Sequence, residues 1–298
     1  MSFFIEVLIG GLLSGVMYAL VAIGFVLIYK ASGVFNFAQG AMVFFAALTC
    51  VGMVDKFGVP LWLAIALTVL VMVALALAIE RVVLRPLVNQ PEITLFMATI
   101  GLAFFIEGFA QLLWGSQVHK LDLPIADVPI PFLMERYNIL VSQFDVTAAG
   151  VCAVLVTVLA LLFAKTRVGR ALRAVADDHQ AALAVGIPLQ RIWAVVWSVA
   201  GLVALVAGLL WGARNGVQFA LTFIALKALP VLILGGFTSV PGAIVGGLII
   251  GASEKLAEVY IGPLVGGGIE GWFPYVLALL FLLVRPEGLF GEKIIRRI

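Results

Sequence analysis

Charge is scarce in this sequence. Of 298 residues only 18 are Lys or Arg and 16 Asp or Glu, 11% in all, where water-soluble domains average about 25%. So few charges cannot cover a water-facing surface, which excludes a soluble enzyme. The net charge of +2 is too small to point to nucleic acid. Cysteine is nearly absent: Cys50 and Cys152 lie inside apolar blocks and read as small buried residues. The two histidines, His119 and His179, lie in separate loops and cannot share a metal, and no H-E-x-x-H occurs. No G-x-x-x-x-G-K-S/T loop is present to cradle the β- and γ-phosphates of a nucleotide. There is no TVGYG-like filter and no ring of acids. The amino terminus carries Glu6 and no basic leader, so the first apolar block is expected to be a retained helix and not a cleaved signal.

What the chain has is apolar length. Hydrophobic residues make up 64%, and the mean hydropathy is +1.21. Val7–Tyr29, Val34–Val54, Val59–Ile79, Ile93–Trp114, Val146–Ala164 and Ile192–Ala213 are continuous blocks, without the alternation a barrel strand requires. Each is long enough for a spanning helix, which needs about 20 residues. The expected fold class is therefore an all-α integral membrane protein, a polytopic helical bundle. Beyond Arg214 the pattern changes. Phe219–Leu234 contains Lys227 and Pro230, Val240–Ala252 contains Pro241 and several glycines, and Trp272–Val284 is short. Short or irregular helices at membrane depth survive only where protein or a wet cavity satisfies their backbone. They are expected to be short or re-entrant helices, giving eight or nine membrane segments. Whether 219–252 crosses twice or forms a re-entrant hairpin stays open.

Orientation follows from Lys and Arg near helix ends, which favour the cytoplasm. Placing the basic loop Lys165–Arg191 inside puts 12 basic residues inside, including Lys30, Arg81, Arg85, Arg285, Lys293, Arg296 and Arg297. Five fall outside: Lys56, Lys120, Arg136, Arg214 and Lys255, with Lys227 unassigned. The outside loops collect acids instead, among them Asp55, Asp122, Asp127, Glu254, Glu258 and Glu270. The expected topology has the amino terminus outside and the carboxy terminus inside.

Helices in lipid associate through small residues. Gly11–Gly15, Gly208–Gly212, Gly242–Gly246 and Gly247–Gly251 have that spacing and read as scaffold packing. Trp62, Trp114, Trp193, Trp211 and Trp272 stand at segment ends, where interfacial anchors are expected. Glu107 and Lys227 are the expected deep charges. One glutamate, interfacial or paired to a neighbouring helix, does not make the proton or sodium relay of an ion-coupled carrier. The chain is expected to lack energy coupling of its own.

The stretch Lys165–Arg191 reads KTRVGRALRAVADDHQAALAVGIPLQR. Ala171–Ala176 and Asp178–Val185 are strong helix formers, Asp177 and Asp178 suit the start of the second helix, and Gly186 suits its end. Pro188 then blocks continuation. The alternatives are an ordinary basic loop that fixes topology, or a short helix exposing Ala181, Ala182, Leu183 and Val185 to a partner.

Here a family resemblance becomes specific. Gln180-Ala181-Ala182, three residues, then Gly186 resembles the E-A-A-x-x-x-G core through which ABC importer permeases dock their ATPases. The whole loop is similar to the permease subunits of branched-chain amino-acid ABC importers. Gly15–Gly40 resembles that family's first helix and its N-F-A-H/Q-G element. Ala225–Gly251 resembles its G-L-K-A…L-G-G-x-x-S-x-P-G-A…G-G element, and Arg285–Phe290 its closing R-P-x-G-L-F/L. Gln180 stands where the core has an acid, and Gln39 where histidine is common.

The resemblance implies one permease domain over 1–298 with a cytoplasmic coupling loop at 165–191, in the inner membrane of a bacterium. It implies a second homologous permease subunit, two cytoplasmic ABC ATPases and a periplasmic binding protein as partners, with the lipid bilayer around it. No cofactor, metal or catalytic residue is expected in the chain, and ATP hydrolysis falls to the partners. Docking is expected at Arg170, Arg173, Asp178, Gln180, Ala181, Ala182 and Gly186. A weak, transient translocation path is expected at Asn36, Gln39, Lys227, Gly235 and Gly236. Asn36 has the alternative role of a helix cap, and Lys227 that of a snorkelling interfacial cation. An ion-coupled secondary transporter of small solutes is the rival reading and would need a second buried acid near Glu107. A channel-like protein is the third.

Overall fold

The computed structural model describes residues 2–88, 90–177 and 179–291. In chain order the α-helices are α1 (Ser2–Ser32), α2 (Gln39–Phe57), α3 (Leu61–Ala78), α4 (Glu92–Trp114), α5 (Pro131–Tyr137), α6 (Gln143–Lys165), α7 (Arg167–Asp177), α8 (His179–Ala184), α9 (Leu189–Asn215), α10 (Ile224–Lys227), α11 (Leu229–Gly235), α12 (Val240–Tyr260), α13 (Gly262–Val265) and α14 (Phe273–Val284). Among the described residues the only β structure is two isolated bridges, His119 with Val217 and Pro129 with Ser142. Among the described residues seven helical stretches are long and apolar enough to cross a membrane: Phe3–Ser32, Gln39–Phe57, Leu61–Leu87, Glu92–Trp114, Gln143–Lys165, Leu189–Asn215 and Val240–Tyr260. Phe219–Gly235 and Phe273–Val284 are shorter apolar segments.

The chain divides into two compact units. One takes Met1–Val26, Leu123–Val158 and Leu226–Ile298; the other takes Leu27–Asp122 and Leu159–Ala225. In the latter, α2 is the core helix, buried without a break from Gln39 to Gly52 and flanked by α9, α4 and α3. Small residues allow this closeness: a Cβ added at Gly208 of α9 would stand 2.5 Å from the Val43 carbonyl oxygen. The Trp114 ring lies directly over Gly52, and its Nε1 donates to Thr49 Oγ1 at 3.2 Å. Helix α2 starts five residues later than the apolar run because Asn36 turns the chain. Its Oδ1 accepts from the Ala38 amide at 3.0 Å, a local bond that competes with helix. Helix α2 ends where Gly58 enters the left-handed region (φ 63°). Helix α3 passes into a π-helical turn, Ile79–Leu84, and a 3-10 turn, Arg85–Leu87.

In the other unit, α1 and α12 meet backbone to backbone. A Cβ on Gly11 would lie 2.7 Å from the Gly251 carbonyl oxygen, and one on Gly247 would lie 2.6 Å from that of Gly15. These are two of the four small-xxx-small pairs, and they are scaffold contacts. Helices α11 and α12 form a tight hairpin in which Gly235 rests on Gly242, and Ser239 Oγ caps α12 by accepting from the Gly242 amide at 3.0 Å. The peptide 285–290 closes this hairpin. The amides of Leu289 and Phe290 donate to the carbonyls of Leu234 (2.8 Å) and Gly235 (3.1 Å). Two of the sequence elements noted above, Ala225–Gly251 and Arg285–Phe290, are therefore a single packed feature.

Three expectations are corrected. Helix α12 is a full 21 residues, because the polar stretch Ser253–Tyr260 continues the helix beyond its apolar start. Trp193 and Trp211 are buried (3% and 7% exposed), unlike Trp62 and Trp272. Trp193 is no interfacial anchor: its Nε1 donates to the Ala31 carbonyl at 3.0 Å inside the protein. Glu254, assigned to an outside loop, lies within α12 and is 2% exposed. Lys293, Arg296 and Arg297 lie outside the described residues.

Candidate functional site

The segment between α6 and α9 is helical where it is described, as α7 up to Asp177 and as α8 from His179 to Ala184. Gly186 follows in the left-handed region (φ 83°), where its amide bonds to the Leu183 carbonyl and that of Ile187 to the Ala182 carbonyl. That pairing is how a glycine stops a helix. Leu183 and Val185 stay 50% and 76% exposed, an apolar tip on a short helix. Ala182, expected on that face, is 3% exposed and packs inward, whereas Ala181 is exposed. Asp178 lies outside the described residues, and so does the side chain of Gln180.

The two candidate docking arginines are engaged within the chain. Arg173 donates from Nη1 to the Phe163 carbonyl at 2.6 Å and from Nη2 to that of Ala164 at 3.4 Å. Arg170 reaches the Lys165 carbonyl at 3.4 Å. Both satisfy the orphan carbonyls of the α6 terminus with positive charge, where the helix dipole favours it. Gly169 presses against the Phe163 carbonyl so closely that no Cβ fits. Helix α7 is thus clamped to the end of α6. Sequence reasoning missed Gly169; its place in the matched stretch T-R-V-G-R was the available signal.

Asn36 and Gln39 are both wholly buried. Asn36 Nδ2 donates to Gln39 Oε1 at 3.3 Å, and Gln39 Nε2 donates to the Ala200 carbonyl of α9 at 3.4 Å. They form an uncharged amide relay from the α1–α2 turn to α9, and Asn36 also has the capping-type bond described above. Gly235 and Gly236 lie in the hairpin closed by 285–290; Gly236 needs its positive φ (103°) and leaves no room for a side chain against Gly291. Lys227 ends α10 with its side chain 35% exposed and its Nζ 3.3 Å from Glu254 Oε1. The Tyr18 hydroxyl donates to the same oxygen at 3.3 Å. The structure therefore gives Lys227 an acid partner that hydropathy did not signal. Glu107 is half-buried on α4, and no group of three His, Cys, Asp or Glu side chains converges among the described residues.

The chain is similar to known permease proteins along nearly its whole length. LivH of Salmonella typhimurium strain LT2, a high-affinity branched-chain amino acid transport system permease protein, is 31% identical, with 99% of this chain and 98% of that protein covered. BraD of Pseudomonas aeruginosa, described in the same words, is 29% identical over the same shares. LsrC of Escherichia coli O9:H4, an autoinducer 2 import system permease protein, is 30% identical over 56% of this chain and 46% of its own. A solved structure of PsaBC from Streptococcus pneumoniae in complex with Fab covers 92% of this chain and 89% of that chain, at 14% identity and a TM-score of 0.48, a likeness too slight to build on. The family model for the branched-chain amino acid transport system permease component matches residues 7–285, from within α1 through the end of α14, and the chain belongs to that family.

Proposed function

We propose that this chain is the membrane-spanning permease subunit of an ABC importer for branched-chain amino acids, driven by separate ATPase subunits. Family membership over 7–285 carries this reading. The near-complete overlap with LivH and BraD supports the substrate class. The same membership disfavours an ion-coupled carrier.

In mechanical terms, two ATPases closing on ATP move α8 through its apolar tip at Leu183 and Val185. Two connections pass that movement on. The Arg173–Gly169 clamp carries it to the end of α6, and the short link Gly186–Pro188 carries it to α9. Tilting of these helices switches access from one side of the bilayer to the other. Substrate passes at an interface with a second homologous permease, past weak sites at Asn36, Gln39, Lys227, Gly235 and Gly236. A periplasmic binding protein supplies most of the selectivity. The amino terminus lies outside and 165–191 inside, in the inner membrane. Phe219–Gly235 and Phe273–Val284 join the seven long helices in the membrane, and the whole chain acts as one permease domain.

The test uses Gly186→Leu. A Cβ there meets nothing within 4 Å, so folding loses only the left-handed backbone preference, about 1 kcal/mol. Insertion is expected to be normal while ATPase subunits no longer co-purify from detergent. Normal ATP-driven uptake by this variant removes the docking assignment. Uphill leucine uptake by the chain reconstituted alone removes the ABC reading itself.

A further inference from the structure

The π-helical turn at the end of α3 carries a buried acid that neither packing nor the proposed transport path uses. Glu80 is 6% exposed, and its Oε1 is buried with no hydrogen-bond partner. Its nearest cation, Arg85 Nε, stands at 3.8 Å, within ion-pair range but beyond a hydrogen bond. Arg85 instead donates from Nη2 to Gln190 Oε1 at 3.1 Å. These groups line a recess of about 500 Å³ together with Arg191, Gly186 and Ala194, a volume typical of small-molecule sites. Arg191 is exposed and makes no side-chain bond among the described residues. The recess also lies at the start of α9, where the first turn leaves amides unpaired and favours a carboxylate. π-Helical turns are frequent at functional sites.

We infer that this recess binds a small zwitterion of the free α-amino-acid type, with its ammonium on Glu80 and its carboxylate toward Arg191 and the amino-terminal turn of α9. Charge decides the class. A simple anion would meet the Glu80 carboxylate, and a simple cation would meet two guanidinium groups. A molecule that carries both charges offers an opposite charge to the carboxylate and to the guanidinium groups that line the same recess. Ala194 supplies a small apolar wall for its side chain. Because Gly186 forms another wall, occupancy joins the end of α3 to the link that follows α8. The recess is therefore placed to report amino acid on the side of the coupling helix. The zwitterion class rests on this geometry, and the choice of leucine as probe rests on the transport reading.

The test is equilibrium dialysis of radiolabelled leucine against the full chain in nanodiscs. Saturable binding is expected, weakened about tenfold or more by Glu80→Gln, the loss of one charge-assisted hydrogen bond. Arg191→Gln, on an exposed residue that does not threaten folding, is expected to weaken it similarly. Isopentylamine and 4-methylpentanoate, each carrying one of the two charges, are expected to compete at least about tenfold less well. Absence of saturable binding overturns the inference. So does wild-type affinity in both variants, which would locate the bound leucine elsewhere, or equal competition by isopentylamine, which would make the recess a cation site. ATP-driven uptake measured on the same variants reports separately on transport.

Discussion

The two units bury polar groups by different chemistry. One sets an acid, Glu254, against Lys227 and Tyr18 and holds its helices at glycine-to-glycine contact. The other surrounds a helix buried on all sides with uncharged groups, among them Asn36, Gln39 and Thr49, and keeps its buried acid, Glu80, apart at the end of α3. A buried charge gains most from its partner and loses most when that partner is removed. An amide bond across helices in a membrane contributes about 0.6 kcal/mol on average. The first unit is therefore brittle at a few points, while the second spreads its cohesion over α2.

The largest effect is expected at the glycine contact. Gly247→Leu places side-chain atoms where the Gly15 carbonyl and Ala19 already stand. It is expected to cost about 3 kcal/mol, seen as lost monodisperse protein in detergent size exclusion; a well-behaved variant would show that α1 and α12 do not touch there. Next comes Glu254→Gln, which strands a partly buried ammonium. About 2 kcal/mol is expected, less than for a fully buried pair because Lys227 is 35% exposed. The apparent melting temperature should fall, and the double variant Lys227→Met/Glu254→Met should recover most of the loss. If the double variant is the worst of the three, the ion pair is not the source of the cost. Gln39→Leu should cost about 1 kcal/mol in the same assay, and a loss equal to that of Glu254→Gln would erase the contrast drawn here. Gly108→Leu, inside α4 with open space around it, should not lower the melting temperature and should stabilise by up to about 1 kcal/mol. It serves as the measure of what a harmless glycine looks like.

Six of the long helices were legible as unbroken apolar runs, within a few residues at each end. The stop at Gly186 was legible too, because caps are local chemistry, while Asp178, the expected start of the second helix, lies outside the described residues. Helix α12 was not legible, since hydropathy scores Glu254 and Glu258 as water-facing. Burial of Glu254 beside Lys227 and Tyr18 depends on residues 27 and 236 positions away, which no window sees. Trp193 failed for the same reason: its position near a helix end fits an anchor, and only the Ala31 carbonyl makes it an internal residue. Of the candidate site, the exposed face of α8 was foreseen at Ala181, Leu183 and Val185 and missed at Ala182, which is buried. The turn of Arg173 back onto α6 was not foreseen, because an arginine beside a helix end looks identical in sequence whether it faces a partner or its own chain.

The closure of the α11–α12 hairpin by residues 289 and 290 has a consequence for biogenesis. The carbonyls of Leu234 and Gly235 leave the ribosome some 55 residues before the amides that will meet them. At about 5–20 residues per second that is roughly 3–11 s. Throughout this interval the two peptide oxygens lack the amides that will pair with them and must be satisfied by water or by other groups. The final seating of the hairpin is thus timed by translation of a short peptide far downstream.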